Sequence, residues 1–150
     1  MPPMQLKRGR LIDHLQLVVA DLPASRRFYT AVFDALGIPV EGSAEEHFWA
    51  DELFISSPAS PESVGKRTGR VHLAFQATDP AMVDAFHAAG LAAGGTDNGP
   101  PGKRPNYHPN YYAAFVLDPD GNNIEAVHHG PARRSAAAVQ IDIDLDGAHY

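Results

Sequence analysis

This sequence predicts an α+β fold of two tandem βαβββ modules, on three observations: a histidine-led strand that occurs twice, the same capped helix after each copy, and a sharply marked hairpin closing the second copy. Shifting the 150-residue chain by 58 positions lays His14 on His72, Leu15 on Leu73, Asp21 on Asp79, Phe28 on Phe86, Ala31 on Ala89, Ala35 on Ala93 and Gly37 on Gly95. Seven identities in the twenty-four positions from 14 to 37 are several times what this composition gives by chance, so one fold unit is written twice. The modules span about 11–57 and 70–129, with a linker rich in Ser, Pro, Gly and charge at 58–69 and a tail at 130–150.

Each copy opens with an alternating strand: Leu15, Leu17 and Val19 against His14, Gln16 and Val18, then Leu73, Phe75 and Ala77 against His72, Ala74 and Gln76. Asp21 and Asp79 can accept from the first free amides of a helix, and Pro23 and Pro80 fall where a missing N–H costs little. The helices carry apolar stripes through Phe28, Val32, Phe33 and Leu36 and through Val83, Phe86 and Leu91, and Gly37 or Gly94–Gly95 ends them. Shorter strands are expected at 38–40, 47–50 and 53–56 in the first copy. In the second, 111–117 runs into Asp118-Pro119-Asp120-Gly121 and returns as 123–128, a hairpin with a strong turn sequence. Residues 139–145 alternate as VQIDIDL, either an acidic edge strand or a mobile tail.

Composition narrows the chemistry. The apolar content of 44% supports a core of ordinary size, and no apolar run is long enough to cross a membrane as a helix, so a cytoplasmic protein is expected. The absence of cysteine excludes disulfides, thiolate nucleophiles and cysteine-type zinc sites. A formal charge of −6 with only paired basic residues argues against nucleic acid as a partner.

Any metal must therefore be held by nitrogen and oxygen. Paired about a pseudo-twofold axis, the two modules would bring His14 and His72 to one cleft, where two imidazoles invite a divalent ion. Glu125 sits in an apolar return strand and needs a positive partner. Two imidazoles and one carboxylate leave coordination positions open for water or substrate, and Zn, Mn, Ni and Fe(II) all accept such donors.

The opening DHLQLVVADLPASRRFYTAVFDALG, the second-copy RVHLAFQATD and the ending FVLDPDGNNIEAV resemble the vicinal oxygen chelate superfamily, which includes glyoxalase I, bleomycin resistance proteins, fosfomycin resistance enzymes and extradiol dioxygenases. The resemblance covers about residues 11–129 and is most specific in the ending, where a glutamate follows the turn glycine by four residues. It implies an open barrel around a cleft, with His14, His72 and Glu125 as metal ligands. It places either Glu52 or Phe54 where glyoxalase I has a fourth ligand; counting from the turn at Ala50–Asp51 favours Phe54. The chain departs from glyoxalase I in having Val18 where an arginine is expected, and from the dioxygenases and fosfomycin enzymes in having Phe115 where they carry tyrosine.

The segment from Lys103 to Tyr112 concentrates tyrosines, a histidine and cations before the strand that should pass the metal. It suits a substrate loop or, equally, a dimer surface. His108, Tyr111 and Glu52 are the candidates for moving a proton, Arg104 for holding a substrate carboxylate, and Tyr107, Phe115, Phe54 and Trp49 for lining the pocket. His47, His87, His128, His129 and His149 carry no role in this reading. The expected function is Lewis-acid catalysis on a small molecule with vicinal oxygen atoms, isomerase or lyase ahead of dioxygenase; the alternative is a drug- or metabolite-binding protein without turnover. A homodimer is expected, with the modules paired either within one chain or between two.

Overall fold

The computed structural model describes residues 4–9, 12–61, 63–64, 70–131 and 139–143. The elements run β1 (Met4–Arg8), β2 (Leu15–Val18), α1 (Leu22–Ala35), β3 (Gly42–Ser43), β4 (His47–Ala50), β5 (Leu53–Ser56), β6 (His72–Gln76), α2 (Pro80–Ala92), β7 (Thr96–Lys103), β8 (Tyr111–Leu117), β9 (Asn123–His129) and β10 (Val139–Ile143). Elements β2 to β5 with α1, and β6 to β9 with α2, are two βαβββ units. Each forms a four-stranded mixed sheet in the same order, β2-β5-β4-β3 and β6-β9-β8-β7, so the histidine-led strand is an edge strand both times and pairs in parallel with the last strand of its unit.

Both helices begin as their sequences dictate. The Asp21 carboxylate accepts from the Ala24 N–H at 3.1 Å, and that of Asp79 from Met82 at 2.8 Å. The first helix ends in a left-handed glycine, Gly37 at φ 71°. The Ile38 N–H then reaches back to the Phe33 carbonyl at 2.8 Å, satisfying one of the last carbonyls. In the second unit Gly94, at φ 99°, takes that part. The equivalent of Gly37 by repeat, Gly95, serves packing instead: a Cβ there would lie 2.5 Å from Val116, 2.7 Å from Phe28 and 2.8 Å from the Gly90 carbonyl oxygen.

One core holds both units together. It contains Leu17, Phe48 and Ile55 from the first sheet, Phe28, Val32 and Phe33 from α1, Val83 and Phe86 from α2, and Ala114, Val116, Ile124 and Ala126 from the second sheet. The helices pack on one another, and α1 reaches over to the second unit, where the Phe33 ring meets Phe75 at 5.7 Å. The buried Tyr29 hydroxyl donates to Asp118 at 2.6 Å. Asp118 in turn organises the β8–β9 turn by accepting from the amides of Asp120 and Asn122 at 2.9 and 2.7 Å. Both sheets therefore present their helix-facing sides to the shared core, and by strand alternation His14, Gln16 and Val18, like Glu125, Val127 and His129, lie on the opposite faces.

Two features refine the sequence expectation, and two differ from it. In keeping with an open arrangement, no strand of one sheet is paired with a strand of the other among the described residues. The strand expected at 38–40 is displaced to Gly42–Ser43, because Ile38 and Val40 pack onto the core and Gly42 passes beneath the Trp49 ring. The segment TDNGPPGK forms β7, which its prolines hid; it is an edge strand, and register shifts between Asp97 and Gly99 and between Gly99 and Gly102 accommodate them. The tail strand β10 does form, and its partner is the N-terminal β1, paired antiparallel from Met4 with Ile143 to Arg8 with Val139. Half of the expected linker, and His149, lie outside the described residues.

Candidate metal and ligand site

The second module places three groups around one buried carboxylate. Glu125 is only 2% exposed, although it lies on the face away from the core. The His72 Nε2 is 2.8 Å from Glu125 Oε1, and the Tyr111 hydroxyl donates to Glu125 Oε2. This follows from the ladder. Glu125 is paired with Ala74 on β6, so the preceding cleft-face residue His72 leans towards it, and Phe115 stands directly opposite on β8. Tyr111 shares the face of Phe115 and lays its ring along the strand to reach the same carboxylate. Burial, then the hydrogen bond to Glu125 and its charge, push the Tyr111 phenol well above the ordinary tyrosine range, so it remains a donor.

Behind Tyr111 stands a pair of imidazoles. His108 Nε2 and His129 Nδ1 are 2.9 Å apart, and the His108 Nδ1 accepts from the Asn110 N–H at 3.2 Å. With Nδ1 occupied as an acceptor, the neutral His108 ring carries its proton on Nε2 and donates it to His129. The Tyr107 ring packs on Tyr111 at 4.8 Å and His129 meets it edge-on at 5.2 Å. The Arg104 guanidinium lies 5.5 Å from the Phe115 ring centroid, with Nη2 donating to the Pro100 carbonyl at 2.6 Å.

The first module makes the matching half from rings. His14 is exposed, its Nδ1 lies 2.8 Å from Asp13, and its ring meets Phe54 edge-on at 5.5 Å. Phe54 and Trp49 stack at 5.3 Å with an 11° angle between planes, and Trp49 and His47 at 5.6 Å and 20°. Because Gln16 pairs with Phe54 as Ala74 pairs with Glu125, the register puts Phe54, not Glu52, in the place of the second-module carboxylate. Glu52 lies on the turn before β5, where its carbonyl accepts from the Leu15 N–H at 2.7 Å.

Of the three expected ligands, then, His72 and Glu125 are in contact and His14 is on the other module's face. Among the described residues of one chain, no three His, Asp or Glu side chains gather closely enough to hold an ion. His129 and His47 belong to these surfaces and were passed over in the sequence reading. Alternation from Glu125 to His129, and from Trp49 to His47, was the signal that could have found them. His128 instead turns its Nδ1 towards the Ala77 carbonyl at 3.3 Å, and His87 pairs with Asp97 at 2.9 Å, helping to hold that carboxyl below its ordinary range. The groove along the outer side of α1, lined by Arg26, Arg27, Glu45 and Glu46, holds none of these groups.

With this geometry in place, likeness to other proteins decides the family. Residues 11–126 match the family described as the glyoxalase/bleomycin resistance protein/dioxygenase superfamily. This chain belongs to that superfamily. A glyoxalase/bleomycin resistance protein from Albidiferax ferrireducens is 35% identical with a TM-score of 0.67, over 79% of this chain and 98% of that one. A glyoxalase-related enzyme from Fulvimarina pelagi (20% identity, TM-score 0.63, 87% and 97% covered) shares the fold. So does a lactoylglutathione lyase from Agrobacterium tumefaciens (24%, 0.57, 77% and 91%). Among curated proteins, no sequence matches this superfamily member. No helix among its described residues is long and apolar enough to cross a membrane.

Proposed function

We propose that this superfamily member is a cytoplasmic, metal-dependent enzyme acting on a small molecule with vicinal oxygen atoms. Its site would be completed between two copies: His72 and Glu125 from one, His14 from the other. The observation that carries the reading is Glu125, a carboxylate 2% exposed whose two oxygens meet an imidazole nitrogen and a phenol. A buried carboxylate is costly without a positive partner, and a nitrogen and an oxygen donor already in contact fit a divalent ion of the Zn, Mn, Ni or Fe(II) type. When bound, such an ion supplies Lewis-acid polarisation of two adjacent oxygens. The chain's own residues do the rest. Tyr111, whose hydroxyl donates to Glu125, is the group beside the ligand set placed to hold a substrate oxygen or move a proton. His108 stands one ring further out, its Nε2 hydrogen-bonded to His129, and Glu52 is a base candidate from the first module.

The ring at Phe54, where a carboxylate ligand would stand, and Val18 in place of a cationic anchor favour an isomerase or lyase that does not use glutathione. Ring-cleaving dioxygenation comes second, because Phe115 is not a phenol. The ring-lined first half also supports a second reading, a bleomycin-resistance-type binding protein without turnover. Metal analysis of purified protein, followed by turnover assays with methylglyoxal adducts and catechols, separates the two. The enzyme reading expects about one metal per chain and turnover lost with metal removal. In Glu125→Ala the affinity for metal should fall at least about 100-fold, beyond the loss expected for a group outside the ligand set. Unchanged metal content in Glu125→Ala would refute the site.

A further inference from the structure

We propose that the ligand of this site is a planar aromatic anion, its ring seated between the Phe54–Trp49 wall of one copy and Phe115 of the other, its single acidic group on Arg104. The inference rests on the pairing of half-sites above and adds to it the class of molecule they take.

The first half is a built wall. His14, just before β2, Phe54 on β5, and Trp49 and His47 on β4 form a continuous row of rings on the face turned away from the core. None of the four is buried, so the row is not core packing. The sheet has made room for it, since a Cβ at Gly42 would lie 2.0 Å from the Trp49 ring. Beside Phe54 and Trp49 the polar groups are engaged: Gln16 Nε2 donates to Ser56 Oγ at 3.0 Å, and His14 Nδ1 lies 2.8 Å from Asp13. A peptidic ligand with several charged and amide groups would leave many of them unpaired here, whereas a flat apolar ring meets its own kind.

The second half adds one more ring and one positive charge. Phe115 sits 6.1 Å from the His72 ring and has the Arg104 guanidinium over it. Two backbone carbonyls, of Pro100 and Lys103, orient that guanidinium, and among the described residues it makes no ion pair with a carboxylate. A fork held by neutral partners beside an aromatic face suits a carboxylate attached to a ring. With only neutral partners of its own, the guanidinium is the group left to take the ligand's acidic group.

Trp49 is the sole tryptophan of the chain, so its emission reads the wall directly. The test titrates full-length protein, metal-loaded and metal-free, with 1-naphthoate, neutral 1-naphthalenemethanol and aliphatic cyclohexanecarboxylate. Binding is followed by calorimetry and by Trp49 emission, with Trp49→Phe as the optical control. We expect 1-naphthoate to bind and change Trp49 emission, and the other two to bind at least about 10-fold more weakly. Arg104→Gln and Phe54→Ala should each weaken 1-naphthoate by a similar factor, and Phe54→Leu replaces the alanine variant if that fails to fold. Equal binding of the alcohol with no effect of Arg104→Gln overturns the anion, and equal binding of cyclohexanecarboxylate overturns the ring. 1-Naphthoate carries no vicinal oxygens, so its failure with intact metal binding refutes this inference alone. Its success without metal binding refutes the catalytic reading instead.

Discussion

The two modules share one backbone plan and differ in what they place on it. Where the second has Glu125 paired with Phe115 and His72 leaning in from β6, the first has Phe54 paired with Trp49 and His14 at the equivalent place. One carboxylate exchanged for one ring leaves a single imidazole donor, His14, beside a wall of rings. The helices obey the same rule. Tyr29 and His87 are equivalent by repeat, yet Tyr29 is buried and ties α1 to the other module through Asp118, whereas His87 makes a local pair with Asp97 near the surface. Duplication conserves where a side chain is presented; the single residue there decides whether it packs, ligates or joins the modules.

The sharpest way to break this comparison is at the paired glycines. Gly95→Ala forces a methyl against Val116, Phe28 and a backbone carbonyl, and should cost about 3 kcal/mol in urea denaturation. Gly37→Ala meets nothing within 4 Å and pays only for φ 71°, about 1 kcal/mol. Equal costs would mean that the helices are not packed as described.

Tyr29→Phe leaves the Asp118 carboxylate short of a buried partner and should cost about 2 kcal/mol, whereas His87→Ala should cost less than about 1 kcal/mol. The tyrosine also sets a pH dependence. Burial first, then the Asp118 charge, raise its phenol far above the ordinary 10.0, so above that pH the unfolded chain releases a proton that the folded chain keeps. Stability should therefore decline as pH rises past about 10, and less steeply in Tyr29→Phe, as denaturant titrations across that range would read. A smaller effect tests the half-sites themselves: Phe54→Glu gives the first module the second's carboxylate and should tighten metal binding about tenfold by calorimetry.

Much of this was legible before any coordinates. The repeat, the aspartate caps, the DPDG turn and the histidine-led strands follow from period, capping and turn chemistry, which are local. Strand β7 was not, because a Gly-Pro-Pro-Gly run reads as loop unless its edge position and bulges are known. The partnership of β1 with β10 depends on contacts between the chain's two ends, which no local pattern encodes. Within the site, Glu125 stood out as a carboxylate in an apolar strand, but the reach of Tyr111 along β8 to that carboxylate and the pairing of His108 with His129 depend on side-chain direction. Whether the cleft closes within one chain or between two was not legible for a similar reason: the sequence marks which side of each strand is apolar, and not whether two such sides share one core.

The most direct measurement of the account is complementation between two broken chains. His14→Ala and Glu125→Ala proteins, each expected to bind no metal tightly, are co-expressed with different tags, and the mixed dimer is isolated and its metal counted. A site shared between copies gives one metal per mixed dimer, made from His14 of the Glu125→Ala chain with His72 and Glu125 of the His14→Ala chain. Mixed dimers as empty as both parents would contradict it.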